Sequence, residues 1–144
     1  MTGTNHRGLQ RVILIRCYTG KDPTMILVVD DEPGITELLS DLLELHGHPV
    51  AIANDARSAL DMLRLQNPDL IMVDLMMPSV DGLSLALTLR HDPRARGIPL
   101  IAMSASDSAL AIADRTGDFD AYITKPFEND QLVSTVERYL KVAS

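Results

Sequence analysis

Apolar residues in this chain fall into two alternating patterns. Short unbroken runs occur at Ile26-Leu27-Val28-Val29, Val50 to Ala53, Leu70-Ile71-Met72-Val73, Leu100 to Met103 and Ala121 to Thr124. Runs of this length, with turn-forming residues on their flanks, predict strands buried on both faces. Between them, apolar residues recur at three- and four-residue intervals, the mark of amphipathic helices.

The first helix is expected from Pro33, which suits a first turn, with Ile35, Leu38, Leu39, Leu42 and Leu45 inward and His46-Gly47-His48-Pro49 as its stop. Asp55 can cap a second helix whose stripe is Ala56, Ala59, Leu60 and Leu63, ended by Asn67-Pro68. A third is expected over 82–90 with Leu83, Ala86 and Leu87 inward, followed by a loop over 92–99. A fourth, over 108–115, has mostly Ala at its apolar positions. A fifth, over 130–141, buries Leu132, Val133, Val136, Tyr139 and Leu140.

Five strands alternating with five helices predict an α/β fold: a doubly wound, five-stranded parallel sheet between two helical layers, with right-handed crossovers. With strand order 2-1-3-4-5, the first and third strands are neighbours where a crevice opens at the carboxyl edge. The domain is expected to run from 25 to 144.

Residues 1–24 stand apart. Arg7, Arg11, Arg16 and Lys21 against Asp22 give them a net +3, whereas the rest of the chain carries −10. Val12 to Ile15 is too short for a secretory core. The segment reads as a flexible or loosely docked basic extension, with Met25 as a candidate alternative start.

Composition narrows the function. At 144 residues with 46% hydrophobic and 23% charged content, the chain has the makings of one globular core. A net charge of −7 argues against direct nucleic-acid binding, which needs a basic face. No apolar run approaches the roughly 20 residues that span a bilayer, so no membrane partner is expected. A single cysteine, Cys17, excludes an internal disulfide framework and fits a cytoplasmic location.

The chemistry sits where the strands end. Asp30 and Asp31 follow the first, Asp74 the third, Ser104 the fourth and Lys125 the fifth. In a parallel sheet these ends share one edge, so residues far apart in sequence become neighbours. Taken singly, each has a plainer reading: a turn residue, a helix cap, a surface cation. Taken together, they require every strand bordering the crevice to end in a suitable group by accident. Three clustered carboxylates repel one another, and oxygen ligands without His or Cys favour Mg²⁺ as their counter-ion. Ser104 and Lys125 add a hydrogen-bond donor and a fixed positive charge, completing a cradle for a phosphoryl group.

With those motifs in view, the chain resembles the receiver domain of two-component response regulators. The resemblance rests on Ile26 to Glu32, on Val73-Asp74-Leu75-Met76-Met77-Pro78 with Asp81-Gly82, on Ser104-Ala105, and on Tyr122-Ile123-Thr124-Lys125-Pro126-Phe127. It implies a flavodoxin-like fold with Asp74 as phosphoacceptor, taking a phosphoryl group from a sensor histidine kinase or phosphotransfer protein. It further implies Mg²⁺ held by Asp30, Asp31, Asp74 and the main-chain carbonyl of Met76. Lys125 would bind a phosphoryl oxygen, Ser104 would move toward it, and Tyr122 would turn inward as the switch aromatic. Lys125-Pro126 would be a cis peptide, and Met76 and Ser106 would flank the path of attack. No other cofactor is implied, and the protein would be no enzyme beyond its own phosphorylation and dephosphorylation.

Departures from the family pattern are Ser104 where Thr is common and Asp118 where Gly is frequent. Because the sequence ends with the fifth helix, a stand-alone receiver is expected, acting on an unknown effector protein or passing phosphoryl groups on. The alternatives are a receiver-like binding module that works without phosphorylation and an aspartate-nucleophile phosphatase. The latter resembles Asp-x-Asp after the first strand, where this chain has Asp30-Asp31-Glu32. A flavodoxin-type cofactor protein would need a Gly-, Ser- or Thr-rich loop there.

Overall fold

The computed structural model describes residues 25–77 and 82–143, so the basic extension at 1–24 and the turn signals at 78–81 lie outside the described residues. Five strands, β1 (Ile26–Val29), β2 (Val50–Ala53), β3 (Leu70–Asp74), β4 (Leu100–Ser104) and β5 (Ala121–Thr124), alternate with five helices. The helices are α1 (Pro33–Leu45), α2 (Ala56–Leu65), α3 (Gly82–His91), α4 (Asp107–Thr116) and α5 (Asn129–Ala143). All pairings are parallel, as the alternation predicts, and the sheet order is the expected β2-β1-β3-β4-β5.

Strand side chains alternate between faces, and here both faces are covered. Ile26, Val28, Leu70, Met72, Ile101, Met103 and Ile123 pack under α1 and α5. Leu27, Val29, Ile71, Val73, Leu100 and Ala102 pack under α2, α3 and α4. The sheet thus separates two cores, which is why its central strands read as unbroken apolar runs.

Two helices bury a stripe that matches the expected one only in part. In α1, Leu39 is buried and Ile35 and Leu42 pack against the core as expected, but Thr36 and Leu43 are buried too, while Leu45 is 81% exposed and Leu38 is also exposed. Thr36 is tolerated inside because its hydroxyl donates to the Pro33 carbonyl at 3.1 Å. In α3, Ala86 is buried and Leu83 packs against the core as expected, Leu87 faces solvent instead, and Gly82, Leu85 and Leu89 are buried as well. Gly82 allows the close approach, since a Cβ there would lie 2.7 Å from the Asp74 carbonyl oxygen and 2.8 Å from Leu75 Cα. Only a residue without a side chain lets α3 approach β3 so closely.

Helix ends also shift slightly, as terminal residues depend on caps. Ser106 Oγ accepts the Ala109 N–H and starts α4 at Asp107, and Gly117, with φ of 75°, ends it. Asp55 caps α2 as expected, accepting the Ser58 N–H at 2.7 Å.

The edge opposite the site is tied down by Arg90, at the end of α3. Its guanidinium donates to the carbonyls of Asp118, Arg96 and Ile98 and to Asp120 Oδ2. Asp120 Oδ2 also accepts the Leu100 N–H, so one side chain joins the segments leading into β4 and β5.

Candidate functional site

Asp30 continues the β1 ladder, its N–H donating to the Ala53 carbonyl, and only Asp31 and Glu32 separate it from α1. Asp30 Oδ1 accepts the Glu32 N–H at 2.9 Å, and the Glu32 carbonyl accepts from Ile35 and Thr36. The acid is therefore pinned between a strand and a helix start. Asp74 closes β3 on the face shared with Leu70 and Met72, the α1/α5 side. Its Oδ1 accepts the Met76 N–H at 3.0 Å, which leaves Oδ2 toward the crevice.

Lys125 reaches into this space from the end of β5. Its Nζ lies 2.8 Å from Asp30 Oδ2, 3.1 Å from Glu32 Oε1 and 3.5 Å from Asp74 Oδ2. The Lys125-Pro126 peptide is cis. Asp30 and Asp74 are buried, whereas Asp31 meets solvent, and oxygens of all three acids lie within 4.8 Å of one another.

The electrostatics follow from that burial. Desolvation pushes the Asp30 carboxyl above the usual aspartate range, against the lowering effect of Lys125 and the Glu32 N–H. Desolvation pulls Lys125 down, but its bonds and proximity to Asp30, Asp74 and Glu32 outweigh it, and the net shift is upward. The three clustered acids, with Glu32 also on Lys125, outnumber the single ammonium and leave the site with an excess of acidic groups. A hard divalent cation with part of its shell filled by water fits that donor set, which offers carboxylate oxygen and an open side at Asp31.

Ser104 lies on the other face of the sheet edge, in line with Leu100 and Ala102. It is fully buried, and its Oγ accepts the Ser106 N–H at 3.0 Å, which links it to the cap of α4. Tyr122 pairs in register with Ala102, two residues below Ser104, and packs with the same core. Its hydroxyl donates to the Phe119 carbonyl at 3.4 Å. Burial, with Asp114, Asp120 and Asp118 nearby, raises its pKa.

The structure thus gathers Asp30, Asp31, Asp74 and Lys125 in one cluster and sets Ser104 and Tyr122 together beside α4. The Met76 side chain is exposed beside the cluster. Glu32 has no role in the sequence reading, although its place directly after the acid pair was the available signal. It stands at the N-cap of α1, yet its side chain makes no cap bond and turns to Lys125 instead.

Comparison with known proteins bears on the family and the fold. The model of the response regulator receiver domain matches residues 26–137. The DNA-binding dual master transcriptional regulator RpaA of Synechocystis is 37% identical over 81% of this chain and 48% of its own length. The DNA-binding response regulator MtrA of Mycolicibacterium smegmatis is 34% identical over 81% of this chain and 50% of its own. The chain therefore spans about half the length of these curated relatives. Among solved structures, the signal receiver domain of a signal transduction histidine kinase from Syntrophus aciditrophicus is 35% identical with a TM-score of 0.77, covering 83% of this chain and 91% of that one. The receiver domain of sensor histidine kinase PA1611 from Pseudomonas aeruginosa, which has magnesium coordinated in its active site cleft, is 26% identical with a TM-score of 0.76 over 83% and 98%.

Proposed function

The chain belongs to the response regulator receiver domain family, and from that premise we propose that it is the phosphoacceptor of a two-component phosphorelay with Asp74 as the acceptor. The observation that carries this reading is the cluster itself: a buried carboxylate whose free oxygen faces an ammonium at 3.5 Å, beside two further acids able to share a cation.

An Asp74 carboxylate oxygen attacks the phosphorus of a phosphohistidine on a sensor kinase or phosphotransfer protein. The P–N bond breaks, its electron pair returns to the imidazole nitrogen, which takes up a proton, and an acyl phosphate remains on Asp74. Mg²⁺, bound by Asp30, Asp31, Asp74 and the Met76 carbonyl, would offset the charge gathered by the transferring group. The Met76 N–H fixes one Asp74 oxygen and leaves the other for attack. Lys125 supplies a positive charge for a phosphoryl oxygen.

Phosphorylation would draw Ser104 toward the new group. Because Ser104 holds the Ser106 N–H at the cap of α4, that movement would reach α4 and let Tyr122 turn inward. The changed surface is what an effector protein reads. The chemistry is confined to the protein's own phosphorylation and dephosphorylation. Among the described residues no helix is long and apolar enough to cross a membrane, which fits a cytoplasmic setting.

The test is phosphorus NMR of the protein with acetyl phosphate and Mg²⁺, with and without a chelator. An acyl phosphate signal that disappears on chelation supports the reading. Sustained hydrolysis of phosphomonoesters would instead favour the phosphatase alternative, and a silent protein the phosphorylation-independent module.

A further inference from the structure

The surroundings of Lys125 carry one step beyond that reading, and the step rests on it. The ammonium has three donors; it spends two on Asp30 Oδ2 and Glu32 Oε1, and Asp74 Oδ2 at 3.5 Å is its longest contact. The two short partners differ in their surroundings. The Asp30 side chain is fully buried, whereas that of Glu32 is 60% exposed. Separating Lys125 from Asp30 would strand a buried carboxylate, while Glu32 can return to water at little cost.

The Glu32 backbone is fixed at both ends, its N–H on Asp30 and its carbonyl on the first turn of α1. Its side chain forgoes the cap bond open to that position and reaches Lys125. A phosphoryl group on Asp74 brings about −1.5 to −2 of charge and three acceptor oxygens into the space beside the ammonium. Those oxygens and Glu32 want the same donor.

We propose that Glu32 is the exchangeable counter-ion of Lys125: it holds the ammonium while Asp74 is a free carboxylate and releases it to the phosphoryl oxygens afterwards, which lowers the affinity of the site for the phosphoryl group. Glu32 is a positioning residue in this scheme and touches no reacting atom. The exchange breaks only an ion pair and leaves a solvated carboxylate at the start of α1 in the phosphorylated state.

The test uses beryllium trifluoride, an anion that coordinates a carboxylate oxygen as a phosphoryl stand-in, titrated into the full chain at saturating Mg²⁺ and followed by NMR. Glu32→Gln should bind it roughly twofold to fivefold more tightly than wild type, the range that loss of an exposed ion pair supports. Glu37→Gln, which removes another exposed acid of α1 that does not pair with Lys125, should match wild type. The Lys125 Cε and Nζ resonances should differ between wild type and Glu32→Gln in the free protein and coincide in the bound state, because Glu32 has by then let go. Equal or weaker binding by Glu32→Gln, or a difference that persists when bound, would overturn the exchange. Asp74→Asn separates the failure of the Glu32 exchange from failure of Asp74 as the acceptor. If wild type binds and Asp74→Asn does not, the phosphoacceptor reading stands even where the Glu32 prediction fails. If both bind alike, the reading falls and the exchange with it.

Discussion

Lys125 Nζ and Asp30 Oδ2 lie 2.8 Å apart in a pocket where the carboxylate is fully buried and the lysine side chain is 10% exposed. Residues 95 positions apart in sequence meet because β1 and β5 deliver them to the same edge of one parallel sheet. The pair neutralises part of an acidic cluster that is otherwise self-repelling.

Removing the lysine exposes that repulsion. Lys125→Met should destabilise the cation-free protein by about 1–3 kcal/mol, less than the roughly 3–5 kcal/mol for breaking a fully buried pair, since Asp31 and Glu32 remain open to water. Mg²⁺ should restore part of the loss and bind more tightly than to wild type. Thermal unfolding with and without Mg²⁺ checks both effects.

The pH dependence follows from the raised pKa of Asp30. A carboxyl that holds its proton more firmly in the folded state favours folding below the ordinary aspartate range, and that contribution is lost as pH rises through the raised midpoint. Ionised Asp30 therefore burdens the cation-free fold above that midpoint, and a divalent cation should relieve it. Carboxyl carbon NMR should show Asp30 titrating above the usual range without Mg²⁺ and lower with it. Lys125 shifts upward too, so the stability it adds is present below the ordinary lysine value and should fade only as pH climbs through its raised one.

How much of this was legible in sequence depends on what each residue does. The strands were plain because burial on both faces leaves no polar interruption from Leu70 to Val73. The cluster was plain because Asp30, Asp74 and Lys125 sit at the points where those runs stop. The burial of Thr36 and Gly82 was not, because it comes from a local hydrogen bond and from lack of a side chain rather than from hydrophobicity. The Glu32 contact was hidden for another reason: an acid after an acid pair looks like any solvated charge until β5 brings its lysine.

Gly82 offers a sharp check on the packing. Gly82→Ala should cost about 1–3 kcal/mol or more, because the added methyl would meet backbone atoms that cannot yield. Gly34, in the first turn of α1 with nothing within 4 Å of an added Cβ, is its counterpart. Gly34→Ala should stabilise by about 0.4–1 kcal/mol. Denaturant midpoints of the two variants should move in opposite directions.

Arg90 should behave as a clamp on the far edge. Arg90→Lys keeps the charge but cannot reach three carbonyls and a carboxylate at once. A loss of about 2 kcal/mol is expected. Hydrogen exchange should quicken at Leu100 and in the segments before β4 and β5, with phosphoryl uptake unchanged.

Asp74 is the residue proposed to receive the phosphoryl group. The most direct measurement treats protein exposed to acetyl phosphate and Mg²⁺ with borohydride, which reduces an acyl phosphate to an alcohol, and maps the altered residue by peptide mass spectrometry. The expected outcome is conversion of residue 74 alone, with no altered peptide from Asp74→Asn. Conversion at Asp30, Asp31 or elsewhere, or none in a folded protein that binds Mg²⁺, would contradict it.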